Sequence, residues 1–358
     1  MKLSKHARIY FLLSLGLLFI FGLWKKEKTE TQFVREYISF KQVAELSLRD
    51  LPKREAWRRA APKVVEISIP GKNAEPAQPA LWYHSGSRKK KPLLLVLHSW
   101  SADYIQHYGI PYGVFAEKND WIFIHPDYRG EFDHAGATAS EKAIRDVLDA
   151  LEYAKSHAPV DDKRIYLAGF SGGAMMSLIM IGRYPEQFSA AVIWVPVYDL
   201  KDWYSGLMQS RLYYAEQYRN DMEASCGGKP NSDAKAEAEC RKRSPSAYLV
   251  GARGKGLKVF ISGGIHDPFV PPSHAIRAFN DLAGDGHKIA EADYRFLDET
   301  GKLPEGLQGQ GQKNRFFEEA GLPVVVRRSS MDATLILFDG GHDIVYNAGF
   351  EWLSQQHR

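Results

Sequence analysis

Arg164–Ile179 reads RIYLAGFSGGAMMSLI, and the order of residue types in it governs the reading of the rest of the chain. A short apolar strand, Ile165–Ala168, runs into Gly169-Phe170-Ser171-Gly172-Gly173 and then into a helix-like run, Ala174–Tyr184. Gly-x-Ser-x-Gly between a strand and a helix is a sharp turn that lifts the serine hydroxyl off the sheet. Gly169 and Gly173 leave room for a strained backbone and for close strand–helix packing, which a Cβ would obstruct. The free N–H groups opening the following helix aim at negative charge developing beside the serine. The five-residue pattern alone is weak, because a glycine-rich chain produces it by accident. Its strand and helix flanks make Ser171 a candidate nucleophile.

Composition bounds the setting. The 358 residues, 44% apolar and 25% charged, suit one large α/β domain or two modest ones. A net charge of +4, with basic residues mostly spread out, argues against a nucleic-acid partner. The one dense basic run, Arg88–Lys91, sits in a turn ahead of a strand and reads as a solvated loop. At the N-terminus, Lys2, Lys5 and Arg8 precede the apolar run Ile9–Trp24, and Lys25-Lys26 follow. That is the layout of a secretory signal. No small-residue cleavage pair follows the run, so residues 1–28 are read as a signal peptide or an uncleaved membrane anchor. Both readings place the remainder in the periplasm or outside the cell. Only Cys226 and Cys240 occur, in a polar loop-rich segment, and an oxidising compartment would pair them.

Residues 29–61 read as a charged tether and an edge helix ending in KREAWRRA, and residues 62–358 as one catalytic domain. Apolar runs at Val64–Ile69, Leu81–His84, Leu93–Leu97, Trp121–Ile124, Ala190–Val195, Lys258–Ile261 and Thr334–Phe338 are expected strands. Between them, Ser140–His157 has the helical period, with Ile144, Val147, Leu148, Leu151 and Ala154 on one side. This alternation predicts an α/β fold: a mostly parallel central sheet flanked by helices, with chemistry at the carboxyl ends of the strands. Two stretches, about 198–253 and 284–331, leave the pattern and are expected to be cap-like inserts. The first is rich in aromatics, including Trp203, Tyr204, Tyr213, Tyr214 and Tyr218.

A serine needs a base to take its proton, and the base needs an acid to fix its tautomer. His342 follows the last strand in Asp339-Gly340-Gly341-His342-Asp343 and is the expected base. Asp267, in the loop SGGIHDPFVPP after Lys258–Ile261, is the expected acid, with Asp199 as the alternative. Oxyanion donors are expected at the Gly172 N–H and in the loop His98-Ser99-Trp100-Ser101, where Trp100 is preferred to Ser99. Ser99 stands where a glycine is customary, which leaves the identity of this second donor open.

The runs LLLVLHSWSADY, IHPDYRG, LAGFSGGAM, GGIHDPFVPPSHAIRAFN and FDGGHD together resemble the α/β-hydrolase superfamily, nearest its prolyl-oligopeptidase-like and bacterial carbohydrate-esterase branches. The resemblance spans roughly Val64 to the C-terminus and implies Ser171, Asp267 and His342 as a triad, with Trp100 and Gly172 as oxyanion donors. It implies a serine hydrolase without metal or cofactor and leaves the substrate open. An exported chain with aromatics near the strand ends suggests esters decorating a polysaccharide: acetyl, methyl or feruloyl. Trp203, Tyr204 and Arg129 are the expected substrate contacts, although Arg129 also suits a structural salt bridge. The alternative is a peptidase of the prolyl-oligopeptidase type. Against it, about 75 residues separate the apolar run from the oxyanion loop, too few for a multi-bladed propeller.

Overall fold

The computed structural model describes residues 51–72 and 75–358. The expected signal or anchor and the tether up to residue 50 lie outside the described residues. No helix among the described residues is long and apolar enough to cross a membrane.

One sheet organises the chain. Its strands are β1 (Val65–Ile69), β2 (Gln78–Tyr83), β3 (Lys91–Leu97), β4 (Ile122–Pro126), β5 (Val160–Phe170), β6 (Ala190–Trp194), β7 (Lys258–Gly264), β8 (Val324–Ser330) and β9 (Ala333–Phe338). They lie in the order β1-β2-β4-β3-β5-β6-β7-β9-β8. The central strands from β4 to β9 pair in parallel, while β1 and β2 on one edge and β8 on the other join by antiparallel pairing. The continuous apolar runs follow from burial on both faces. Leu93, Leu95 and Leu97 of β3 enter one core, and the alternating Leu94 and Val96 enter the other.

Helices fill both faces. The first core takes residues from α3 (Glu141–His157), α4 (Gly172–Arg183) and α8 (Pro272–Leu282). The second takes residues from α1 (Lys53–Ala60), α2 (Ile110–Asn119), α10 (Arg315–Glu319) and α11 (Tyr346–Ser354). Helix α3 starts where the Ser140 hydroxyl accepts from the Ala143 N–H at 3.1 Å. It ends with Lys155 and His157 in its last turn, where positive charge complements the helix dipole.

Residues 198–253 form a helical insert, α5 (Leu200–Gln209), α6 (Ala215–Cys226) and α7 (Ala234–Lys242), and a Cys226–Cys240 disulfide joins the last two. The second expected insert, 284–331, needs correction. Its final part is the edge strand β8, paired along β9, while α9 (Glu291–Thr300) packs beside α8, with Asp298 Oδ1 accepting from the Ser273 N–H at 3.0 Å. Arg327 and Arg328 break up the apolar pattern of β8, as charges on an exposed sheet edge do.

Two local features carry testable consequences. A Cβ on Gly173 would lie 2.3 Å from the Leu97 carbonyl oxygen, because α4 is pressed against the end of β3. Gly206, in α5, has nothing within 4 Å of the same position. Gly173→Ala is therefore expected to cost about 2 kcal/mol or more in chemical denaturation, and Gly206→Ala to add roughly 0.5–1 kcal/mol. The second feature is His274, buried in α8, whose Nδ1 accepts the Tyr198 N–H at 2.9 Å. Burial, helped by the Arg277 charge, lowers this imidazole from 6.5 to about 4. Above pH 6.5 both folded and unfolded chains hold it neutral. As pH falls from 6.5 toward 4, only the unfolded chain takes up the proton, so stability is lost in that window. Denaturation at pH 7.5 and pH 5 should show wild type losing about 2 kcal/mol more than His274→Asn, which keeps an acceptor without titrating.

Candidate active site

Ser171 sits at the turn between β5 and α4 with φ 56° and ψ −117°, a conformation that side-chain-bearing residues rarely adopt. Two backbone hydrogen bonds hold it there. Its N–H donates to the Trp194 carbonyl at the end of β6 at 2.9 Å, and its carbonyl accepts from the Met175 N–H at 3.0 Å.

The next residue meets the oxyanion loop. A Cβ on Gly172 would lie 2.7 Å from the Trp100 backbone nitrogen, so the start of α4 and the loop after β3 are in direct contact. The Ser99 N–H is already committed, donating to Gln106 Oε1 at 3.1 Å, and the Ser99 hydroxyl donates to the same oxygen at 3.2 Å. That leaves Trp100 N–H, beside Gly172 N–H, as the donor suited to a developing oxyanion. The Trp100 carbonyl is anchored by the Phe132 N–H at 2.9 Å. Its indole N–H donates to Asp221 Oδ2 on α6 at 3.0 Å. Burial raises the Asp221 carboxyl above its usual range, against the lowering effect of this bond. Beneath the loop, His98 stacks on Tyr128 with centroids 4.0 Å apart, and burial lowers the imidazole pKa despite two carbonyl partners.

His342 Nδ1 donates to Asp267 Oδ2 at 2.6 Å. The Asp267 side chain is almost fully buried, 1% exposed, and its Oδ1 accepts from the Phe269 and Val270 N–H groups at 2.8 and 3.0 Å. Those bonds fix the carboxylate so that the other oxygen faces the imidazole. The two loops bearing this pair are zipped together: Ile265 N–H donates to the Phe338 carbonyl and His266 N–H to that of Gly340, both at 3.0 Å. The ring lies between Phe170 and Phe269, with centroids 4.8 and 5.0 Å away. With Nδ1 bonded to Asp267, Nε2 is the nitrogen available as base.

Ser171 and His342 open onto one cavity of about 500 Å³, whose wall also includes Trp100, Tyr108, Phe170, Tyr218 and Phe269. Asp199 is elsewhere: it caps α5, accepting from the Asp202 N–H at 3.1 Å and the Ser246 hydroxyl at 2.6 Å. The three expected substrate contacts need correction, since none of them lines this cavity. Trp203 is buried behind Trp100, with its indole N–H donated to the Phe269 carbonyl at 2.8 Å. Tyr204 is buried, with its hydroxyl donated to Glu223 at 2.6 Å. Arg129 is held by Asp146 and Glu75, a structural ion-pair cluster. Gln106, Tyr218 and Asp221 were not singled out from the sequence as site residues. Tyr214, Tyr218 and Asp221 do share one helical face by their i, i+4, i+7 spacing, and that stripe was the available signal.

Residues 114–298, just over half of the chain, match the model of the prolyl oligopeptidase family; the match includes Ser171 and Asp267 and ends before His342. Feruloyl esterase B of Talaromyces stipitatus is 23% identical over 142 residues, 36% of this chain and 38% of that protein. Probable acetylxylan esterase A of Aspergillus fumigatus is 28% identical over 149 residues, 38% of this chain and 36% of that protein. The chain thus spans well under half the length of these curated relatives. Among solved structures, an acetyl xylan esterase from Aspergillus awamori superposes with a TM-score of 0.50 at 18% identity, over 81% of this chain and 98% of that one, a likeness of fold. On the extent of the family match, the chain belongs to the prolyl oligopeptidase family.

Proposed function

We propose that the protein is an exported serine hydrolase that cleaves carboxylic esters decorating a polysaccharide, of the acetyl, methyl or feruloyl kind. The observation that carries this reading is that His342, bonded to Asp267, opens with Ser171 and Trp100 onto a single aromatic-walled cavity. The esterase relatives support ester over amide, and the basic–apolar–basic N-terminus supports export. Ser171 Oγ attacks the ester carbonyl while His342 Nε2 takes its proton. The oxyanion is met by the N–H groups of Trp100 and Gly172. His342 then returns the proton to the leaving alcohol, and the acyl group stays on Ser171. Water, deprotonated by His342, attacks the acyl-enzyme and releases the acid. Asp267 holds the imidazole tautomer and stabilises the imidazolium throughout.

Family membership favours a second reading, a peptidase. The two separate on a substrate panel: p-nitrophenyl acetate, acetylated xylan, methylated pectin, feruloylated oligosaccharide and a proline-containing aminoacyl p-nitroanilide. Release of acid or methanol from a glycan, with the anilide untouched, is the expected result, and the reverse selects the peptidase. Ser171→Ala should lower kcat by roughly 10⁴-fold or more; wild-type turnover in that variant would remove Ser171 from the mechanism. Asp221→Leu releases the Trp100 indole, and it should lower kcat roughly tenfold with little change in KM. Asp221→Asn, which keeps an acceptor, should restore most of the loss.

A further inference from the structure

With Trp203 and Tyr204 buried, the helical insert offers a different aromatic to the outside. Tyr213, in the connection between α5 and α6, is 92% exposed, and Met208 at 57% and Leu212 at 43% precede it in the chain. Large apolar groups left in water together mark a contact surface more often than a random surface does.

This surface is continuous with the catalytic cavity. Tyr213 packs edge-on against Tyr214, with centroids 5.3 Å apart, and Tyr214 stacks on Phe269 at 4.2 Å. Phe269 in turn lies 5.0 Å from His342 and forms part of the cavity wall. An unbroken series of rings therefore leads from the candidate base to the outer surface. Its support is fixed: the Tyr214 hydroxyl donates to the Pro268 carbonyl at 2.6 Å, and Arg219 Nη1 to the Leu207 carbonyl at 2.7 Å. The ring is thus presented on a preorganised base, which limits the ordering cost of binding.

The chemistry around the ring selects the occupant. Exposed Gln209, Arg211, Glu216 and Gln217 flank it in sequence. A pyranose has an apolar C–H face bordered by hydroxyls, so it suits an exposed flat ring whose chain neighbours carry hydrogen-bonding side chains. A wholly apolar polymer would leave those polar groups desolvated without partners. We propose that Tyr213 is a stacking platform for a sugar ring of the polysaccharide whose ester occupies the cavity. The proposal rests on the esterase reading for the cavity's content, while the platform itself is testable without hydrolysis.

The test is electrophoresis of the full-length Ser171→Ala protein through gels containing soluble xylan or pectin. Retardation by at least one glycan is expected, weakened roughly three- to tenfold in apparent affinity by Tyr213→Ala and restored by Tyr213→Trp. On the active protein, Tyr213→Ala should lower kcat/KM on acetylated xylan relative to p-nitrophenyl acetate by a similar factor. Retardation independent of residue 213, no retardation by either glycan, or binding only to a poly(3-hydroxybutyrate) film would overturn the platform. Tyr213-dependent glycan binding by a protein that hydrolyses no glycan ester would uphold the platform and remove the esterase reading.

Discussion

The backbone of Ser171 is the constraint on which the site depends. A side-chain-bearing residue held at φ 56° costs on the order of 1–3 kcal/mol, and such a conformation persists only where its surroundings over-determine it. Here the surroundings are the end of β6, which accepts the Ser171 N–H, and the end of β3, against which Gly173 is pressed. Both depend on the parallel register of β3, β5 and β6, which brings Leu97, Gly169, Phe170 and Trp194 to one edge of the sheet. Core packing on both faces of those strands therefore reaches the chemistry through backbone geometry.

The helical insert has two structural duties. Through Tyr218 it forms part of the cavity wall, and through Asp221 it holds the indole of Trp100, the residue proposed to meet the oxyanion. Tyr214 adds a bond to the loop that carries Asp267. One helix thus touches the oxyanion side and the acid side of the site. A change in α6 would therefore reach both the loop bearing Trp100 and the loop bearing Asp267.

The parts of this arrangement legible in the sequence are those whose position follows from strand ends. Asp267 and His342 stand just beyond apolar runs that could only be buried strands, and the chain order of Ser171, Asp267 and His342 then suggested a common edge. Aromatic content was readable, but its orientation was not: Trp203 and Tyr204 turn inward, while Tyr213, nine residues after Tyr204, faces water. Gln106 and Asp221 act on Ser99 and Trp100 by side-chain bonds that no local pattern encodes, the second across 121 residues of chain. The edge strand β8 was hidden by its own protective charges, Arg327 and Arg328.

Arg243 carries one more implication. Its buried guanidinium donates to the carbonyls of Ala135, Ala137 and Thr138, and so locks the end of α7 to the loop beyond β4. The Thr138 and Ser225 hydroxyls, 2.6 Å apart, make a second fastening, and the disulfide makes a third within the insert. These three fastenings tie the insert to itself and to the loop beyond β4, beside the cavity that Tyr218 helps to wall. Reducing the disulfide would therefore remove one fastening of three and leave the insert tied to the loop beyond β4 by Arg243 and by the Thr138–Ser225 contact.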